Sequence, residues 1–206
     1  IQQAYKNFQE GNVGHAERSL KDILKSQPNN FDALHILGVI CAATGQKDEA
    51  AQLFRQALAL DDKNVSLHYK LARVQFELGQ FEPALLAYEK IIALGYIKPE
   101  ILLAKTVALI NLQRHREALD CIEQALAEWP DYADGWSHKG SILYQLGHFE
   151  EALACFDQAL SLQPAMADGW YKKSLALDKL KRNADALASI DRALAIAPKN
   201  AAYLLD

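Results

Sequence analysis

One spacing governs what this chain can fold into. Phe31, Val65, Pro99, Ala133, Ala167 and Ala201 stand 34 residues apart, and similar residues fall into register between them without a gap. Counting each of these as position one, alanine recurs at the twentieth place as Ala50, Ala84, Ala118, Ala152 and Ala186. A large apolar residue follows four places later, as Phe54, Tyr88, Ile122, Phe156 and Ile190. The eighth place is small every time: Gly38, Ala72, Thr106, Gly140, Ser174. The twenty-seventh is alanine except at Ile91, the fourth is Leu34, His68, Leu102, Trp136 and Trp170, and Pro28, Pro130, Pro164 and Pro198 close most units.

Within a unit the apolar residues, such as Leu34, Leu37 and Cys41, recur at three- and four-residue steps, which predicts an amphipathic helix. Gly45 or Gly79 then offers the left-handed turn that ends a helix most easily, and a second amphipathic helix follows. Small residues at the eighth, twentieth and twenty-seventh places let two helices approach closely, and the bulky residue at the twenty-fourth fills the wedge between pairs. One such unit cannot bury its own apolar stripe, so neighbouring units must share a core.

These residues resemble the tetratricopeptide repeat (TPR), a 34-residue helix-turn-helix with a W-x2-L-G-x2-Y, A-x3-F, P pattern. The resemblance covers essentially the whole chain. It implies an all-α, right-handed superhelical solenoid of antiparallel helix pairs, with a partial first unit at 1–30, full units at 31–64, 65–98, 99–132, 133–166 and 167–200, and the start of a following or capping helix at 201–206. Departures are local. Asp62 and Tyr96 replace the closing proline, Gln113 and Lys181 the mid-unit glycine, and Lys105, Lys139 and Lys173 occupy a usual leucine place. The missing initiator Met and the abrupt stop at Asp206 suggest a piece of a longer protein, with an apolar face left uncovered at its end.

Composition fits a core-forming chain: 206 residues, 50% hydrophobic and 23% charged. The longest apolar stretch, near 101–112, is broken by Lys105, so no membrane span is expected. Cys41, Cys121 and Cys155 form no Cys-x-x-Cys and cannot all pair, which points to a reducing, cytoplasmic compartment and to small buried hydrophobes. No nucleophile elbow, phosphate loop, dinucleotide fingerprint or H-E-x-x-H is present, and the six histidines are scattered. The expectation is a non-enzyme without metal or other cofactor. A net charge of −4 with interspersed Lys and Arg disfavours nucleic acid as partner.

The TPR resemblance implies a concave groove lined by the first helices, at the second, fifth, sixth, ninth, twelfth and thirteenth places. Candidate peptide-binding residues at these places are Tyr69, Lys70, Arg73, Phe76, Leu103, Val107, Ile110, Asn111, Ser137, His138, Ser141, Tyr144, Tyr171 and Lys172. They make an apolar floor with tyrosines and cations, suited to holding a protein or peptide ligand. Asp32, Glu100, Asp134 and Asp168 share the second place, where an acid complements a helix N-terminus.

Two family patterns are not matched. The clamp of chaperone-binding TPRs needs Lys and Asn, then Asn, then Lys and Arg in three successive units. Here the corresponding residues are His35 and Val39, Lys70, then Glu100 and Ala104. The asparagine ladder of O-linked GlcNAc transferases would occupy Ile36, Lys70, Ala104, His138 and Lys172. The expected function is therefore a protein-protein interaction module. Two alternatives remain open: a substrate-positioning arm of a larger enzyme, such as a bacterial glycosyltransferase-type protein, and a scaffold that self-associates through uncovered terminal repeats.

Overall fold

The computed structural model describes residues 1–200, so the helix start expected at 201–206 lies outside the described residues. Among the described residues there are twelve helices and no strand. They fall into two compact units, Ile1–Ile97 and Lys98–Asp206.

The first unit holds α1 (Gln2–Gln9), α2 (Val13–Ser26), α3 (Phe31–Ala43), α4 (Lys47–Leu58), α5 (Val65–Glu77) and α6 (Phe81–Ala93). Sequence neighbours pack as pairs, α1 with α2, α3 with α4 and α5 with α6, and the pairs stack through α2–α3 and α4–α5. Local chemistry sets the boundaries. Asn30 and Asn64 cap α3 and α5, their side-chain oxygens accepting the backbone N–H of Ala33 at 3.0 Å and Leu67 at 3.1 Å. Gly45 and Gly79 end α3 and α5 with φ of 83° and 72°. The core runs from Ala4 and Leu20 through Leu37, Ile40, Ala50 and Phe54 to Leu67 and Val74.

The second unit holds α7 (Pro99–Asn111), α8 (His115–Glu128), α9 (Ala133–Gln145), α10 (Phe149–Leu162), α11 (Ala167–Lys179) and α12 (Asn183–Ile196). Pro99 occupies the first turn of α7, where its missing N–H costs nothing. Gln113 and Lys181 take the left-handed turn in place of glycine, at φ 59° and 61°. The helix end survives the substitution because both bonds of the Schellman motif form: Gln113 N donates to Ile110 O and Arg114 N to Leu109 O, each at 2.9 Å.

The lysines at a leucine place have a structural role. Lys139 lies 5.7 Å from the Trp136 ring centroid and pairs with Glu123 at 2.8 Å; Lys173 lies 5.2 Å from Trp170 and pairs with Asp157 at 2.6 Å. Each indole N–H in turn donates to a closing proline's carbonyl, Pro130 at 2.8 Å and Pro164 at 2.9 Å. The aliphatic stem covers the ring as a leucine would, and the ammonium finds a cation–π contact and an acid. Cys41, Cys121 and Cys155 are buried thiols, and Cys121 Sγ donates to Leu102 O at 3.5 Å. Burial pushes the Cys41 thiol up to about 11 and raises that of Cys155, so both stay protonated. No helix among the described residues is long and apolar enough to cross a membrane.

Candidate functional site

In the first unit, α3 and α5 wall a cleft of about 340 Å³. The α3 wall is small and apolar, with Val39, Ala42 and Ala43, and Phe54 of α4 forms the floor. Tyr69, Lys70, Arg73, Val74 and Glu77 make the α5 wall. A four-residue spacing brings Tyr69 and Arg73, and again Lys70 and Val74, onto one side of α5. Tyr69 is held by a tilted ring contact with Tyr88, centroids 6.4 Å apart. Tyr88 itself is buried, which pushes its phenol up to about 12, with Tyr69 adding a smaller upward push.

Charge at the cleft is uneven. Glu77 lies 3.0 Å from Lys47 of α4 and only 3.9 Å from Arg73. Lys70 donates to Ser66 Oγ at 3.2 Å. The cleft lining therefore holds two cations, Lys70 and Arg73, against one carboxylate, and that carboxylate's nearer partner is Lys47. Lys70 also acts on His35 of α3, whose imidazole is held below its ordinary range first by burial and then by this neighbouring charge.

The second unit has an opening of about 540 Å³ between α11 and α12, reached also by Tyr144 of α9. Leu175, Asp178, Lys179 and Ile190 line it. These occupy the same places in their unit as Val39, Ala42, Ala43 and Phe54 do in theirs, so two openings are built on one template with different side chains. Leu187, also lining the second opening, is 62% exposed, whereas Ala51, Leu85 and Leu153 at the same place are buried.

The expected site residues divide between the two units. Tyr69, Lys70 and Arg73 meet in the first cleft, while Phe76 does not line it: its ring packs edge-on against Phe81, centroids 5.1 Å apart. Leu103, Val107 and Ile110 are half-buried on one face of α7, with Asn111 exposed and donating to Val107 O at 2.8 Å. Ser137 corrects the expectation. It is 3% exposed, so its side chain belongs to the packing and its carbonyl accepts from Ser141 Oγ at 2.9 Å. His138 bonds through Nδ1 to Asp134 O at 2.8 Å, and burial, foremost, holds it below its ordinary range. Tyr144 lines the second opening and packs on Phe149, and Tyr171 is half-buried. Lys172 pairs with Asp168 at 2.7 Å, so that second-place acid binds a neighbour as well as facing the helix start. Val39, Ala42, Ala43 and Phe54 were not among the expected residues. Their ninth, twelfth, thirteenth and twenty-fourth places were the available signal, but small apolar residues read as core. Among the described residues, no three His, Cys, Asp or Glu stand close enough together to hold a metal ion.

Three tetratricopeptide repeat family models match: one over residues 2–65 and 138–201, a second over 104–169 and a third over 45–95. The chain belongs to the tetratricopeptide repeat family. Among curated proteins it is similar to tetratricopeptide repeat protein 8 of Caenorhabditis elegans, 28% identical over 122 residues. That alignment takes in 58% of this TPR chain and 24% of the relative, so the chain spans about a quarter of its length. Among solved structures, a TPR protein from Parabacteroides merdae superposes with a TM-score of 0.82 at 23% identity, over 95% of this chain and 77% of that one. YrrB, a TPR protein with an unusual peptide-binding site, gives 0.68 at 18% identity over 90% and 95%. TTC0263 of Thermus thermophilus gives 0.67 at 26% identity over 85% and 95%. The TPR fold accounts for the all-α pairing of every described helix.

Proposed function

We propose that this chain is a non-catalytic protein-interaction module, built of TPR units at 31–64, 65–98, 99–132, 133–166 and 167–200, that holds a peptide or protein segment against its first helices. The observation that carries this reading is the first-unit cleft, where an apolar floor from Val39, Ala42 and Phe54 meets Tyr69 and Arg73 at the wall. Tyrosine brings contact area with little rotamer freedom to lose, and arginine brings directional donors, the pairing that protein recognition favours. That the TPR protein YrrB has a peptide-binding site supports the class of function on this fold. On this reading Leu103, Val107, Ile110, Ser141, Tyr144, Tyr171 and Lys172 offer a binding surface of the second unit's own. A reducing, cytoplasmic setting is supported by the three buried thiols.

The test is a photo-crosslinking amino acid placed at Tyr69 and, separately, at the exposed Gln52 of α4. Expected is capture of a discrete protein partner from Tyr69 alone. Equal capture at both places, or none, contradicts the reading.

A second reading, self-association, rests on Leu187, which is open where its equivalents are covered. Light scattering across a hundredfold concentration range decides it: a rising mass supports pairing through α12, and a constant monomer mass removes it.

A further inference from the structure

We infer that the first-unit cleft selects a segment carrying an apolar side chain with an Asp or Glu next to it or two residues away. This inference rests on the proposed module function and names the chemistry of its partner.

Size comes first. Ligand sites run from about 300 to 1,000 Å³. At about 340 Å³ this cleft takes one anchoring side chain and its flanking backbone. Val39, Ala42 and Phe54 offer that side chain no hydrogen-bonding group, so an apolar one fits.

Charge then sets its neighbour. The chain as a whole is net negative, at −4, yet Lys70 and Arg73 stand one turn apart on the cleft wall. Glu77, the one acid lining the cleft, lies closer to Lys47 than to Arg73. Lys70 is hydrogen-bonded to the neutral Ser66. The local excess is positive, and a carboxylate beside the buried anchor meets both cations, while a neutral residue adds no counter-charge and a basic one repels them. The inference places this carboxylate on a side chain within the segment, and the test below is built to exclude a chain end.

The test is selection from a random dodecapeptide phage library joined to the coat protein through the peptide C-terminus, which removes any free terminal carboxylate. Enriched sequences are then made as C-terminally amidated, fluorescein-labelled peptides and titrated against the full chain. Expected is enrichment of an apolar residue within two places of Asp or Glu, with affinity about tenfold weaker in Lys70→Glu/Arg73→Glu. Exchanging the peptide's acid for Lys should restore part of that loss in the reversed variant. Affinity for the unaltered chain should also fall several-fold between 50 and 500 mM NaCl, a readout independent of any variant. Enriched peptides without acids, or affinities indifferent to salt and charge reversal, overturn this inference and leave the module reading standing. No enrichment over an unrelated protein overturns both.

Discussion

Phe156 lies over Gly140 so closely that a β-carbon on the glycine would sit 2.6 Å from the ring's Cε1. Gly38 and Phe54 repeat the relationship at 2.5 Å. Elsewhere the two places trade size: Ala72 stands with Tyr88, Thr106 with Ile122 and Ser174 with Ile190. The eighth and twenty-fourth places therefore act as a matched pair, and the ring fills the volume that the missing side chain leaves.

That matching predicts a double-mutant result. Gly140→Ser alone should lower stability by about 1–3 kcal/mol, since Phe156 is 1% exposed and has nowhere to move. The gain of about 0.5–1 kcal/mol from removing a helical glycine is too small to offset it. Phe156→Ile alone should also destabilise, by leaving a cavity. Together they recreate the Ser174/Ile190 pair, and chemical denaturation should show a favourable coupling of about 1 kcal/mol or more. Simple additivity would show that the two places do not constrain each other.

Gln113 and Lys181 carry a strain that glycine would relieve. A side chain in the left-handed region costs about 1–2 kcal/mol, while glycine adds freedom to the unfolded chain, so part of the gain is lost. Gln113→Gly should raise stability by about 0.5–1 kcal/mol in urea unfolding, and Gly147→Gln, at φ 85°, should lower it.

Acid should weaken the fold through the histidines. His35 and His138 are held below their ordinary range, chiefly by burial, with Lys70 and Lys172 respectively adding to the effect. Asp32 beside His35, and Asp134 and Asp168 beside His138, oppose it. The unfolded chain then binds a proton more readily than the folded one. Stability from this source is full above the ordinary histidine range, near 6.5, and is lost as pH falls through it toward the depressed folded values. Thermal melts between pH 7.5 and 5.5 should show the decline, and His138→Gln should flatten it. An unchanged slope would assign the decline elsewhere.

Much of the fold was legible because its signals are local and repeated. Turn glycines, closing prolines and apolar steps act within a few residues, so helix starts at Phe31, Val65, Pro99, Ala133 and Ala167 follow from the chain alone. The size exchange between Gly140 and Phe156 was harder to read, because each place taken singly is only small or only large. Lys139 and Lys173 looked like departures until Trp136 and Trp170 were placed beneath them. For the site, residue type carried Tyr69, Lys70 and Arg73 but not depth. Ser137 is polar and buried, and the cleft's apolar wall from Val39 to Phe54 is indistinguishable from core until α3 and α5 are set apart in space.

The most direct test separates binding from folding at the first cleft. In Tyr69→Ala/Arg73→Ala, titration of the segment crosslinked at Tyr69 should show a Kd at least about tenfold higher, the scale of losing an arginine or aromatic anchor. The melting temperature should fall by no more than about 4 °C, the equivalent of roughly 1 kcal/mol in a chain of this size. An unchanged Kd, or a melting temperature that collapses with the binding, would contradict the account.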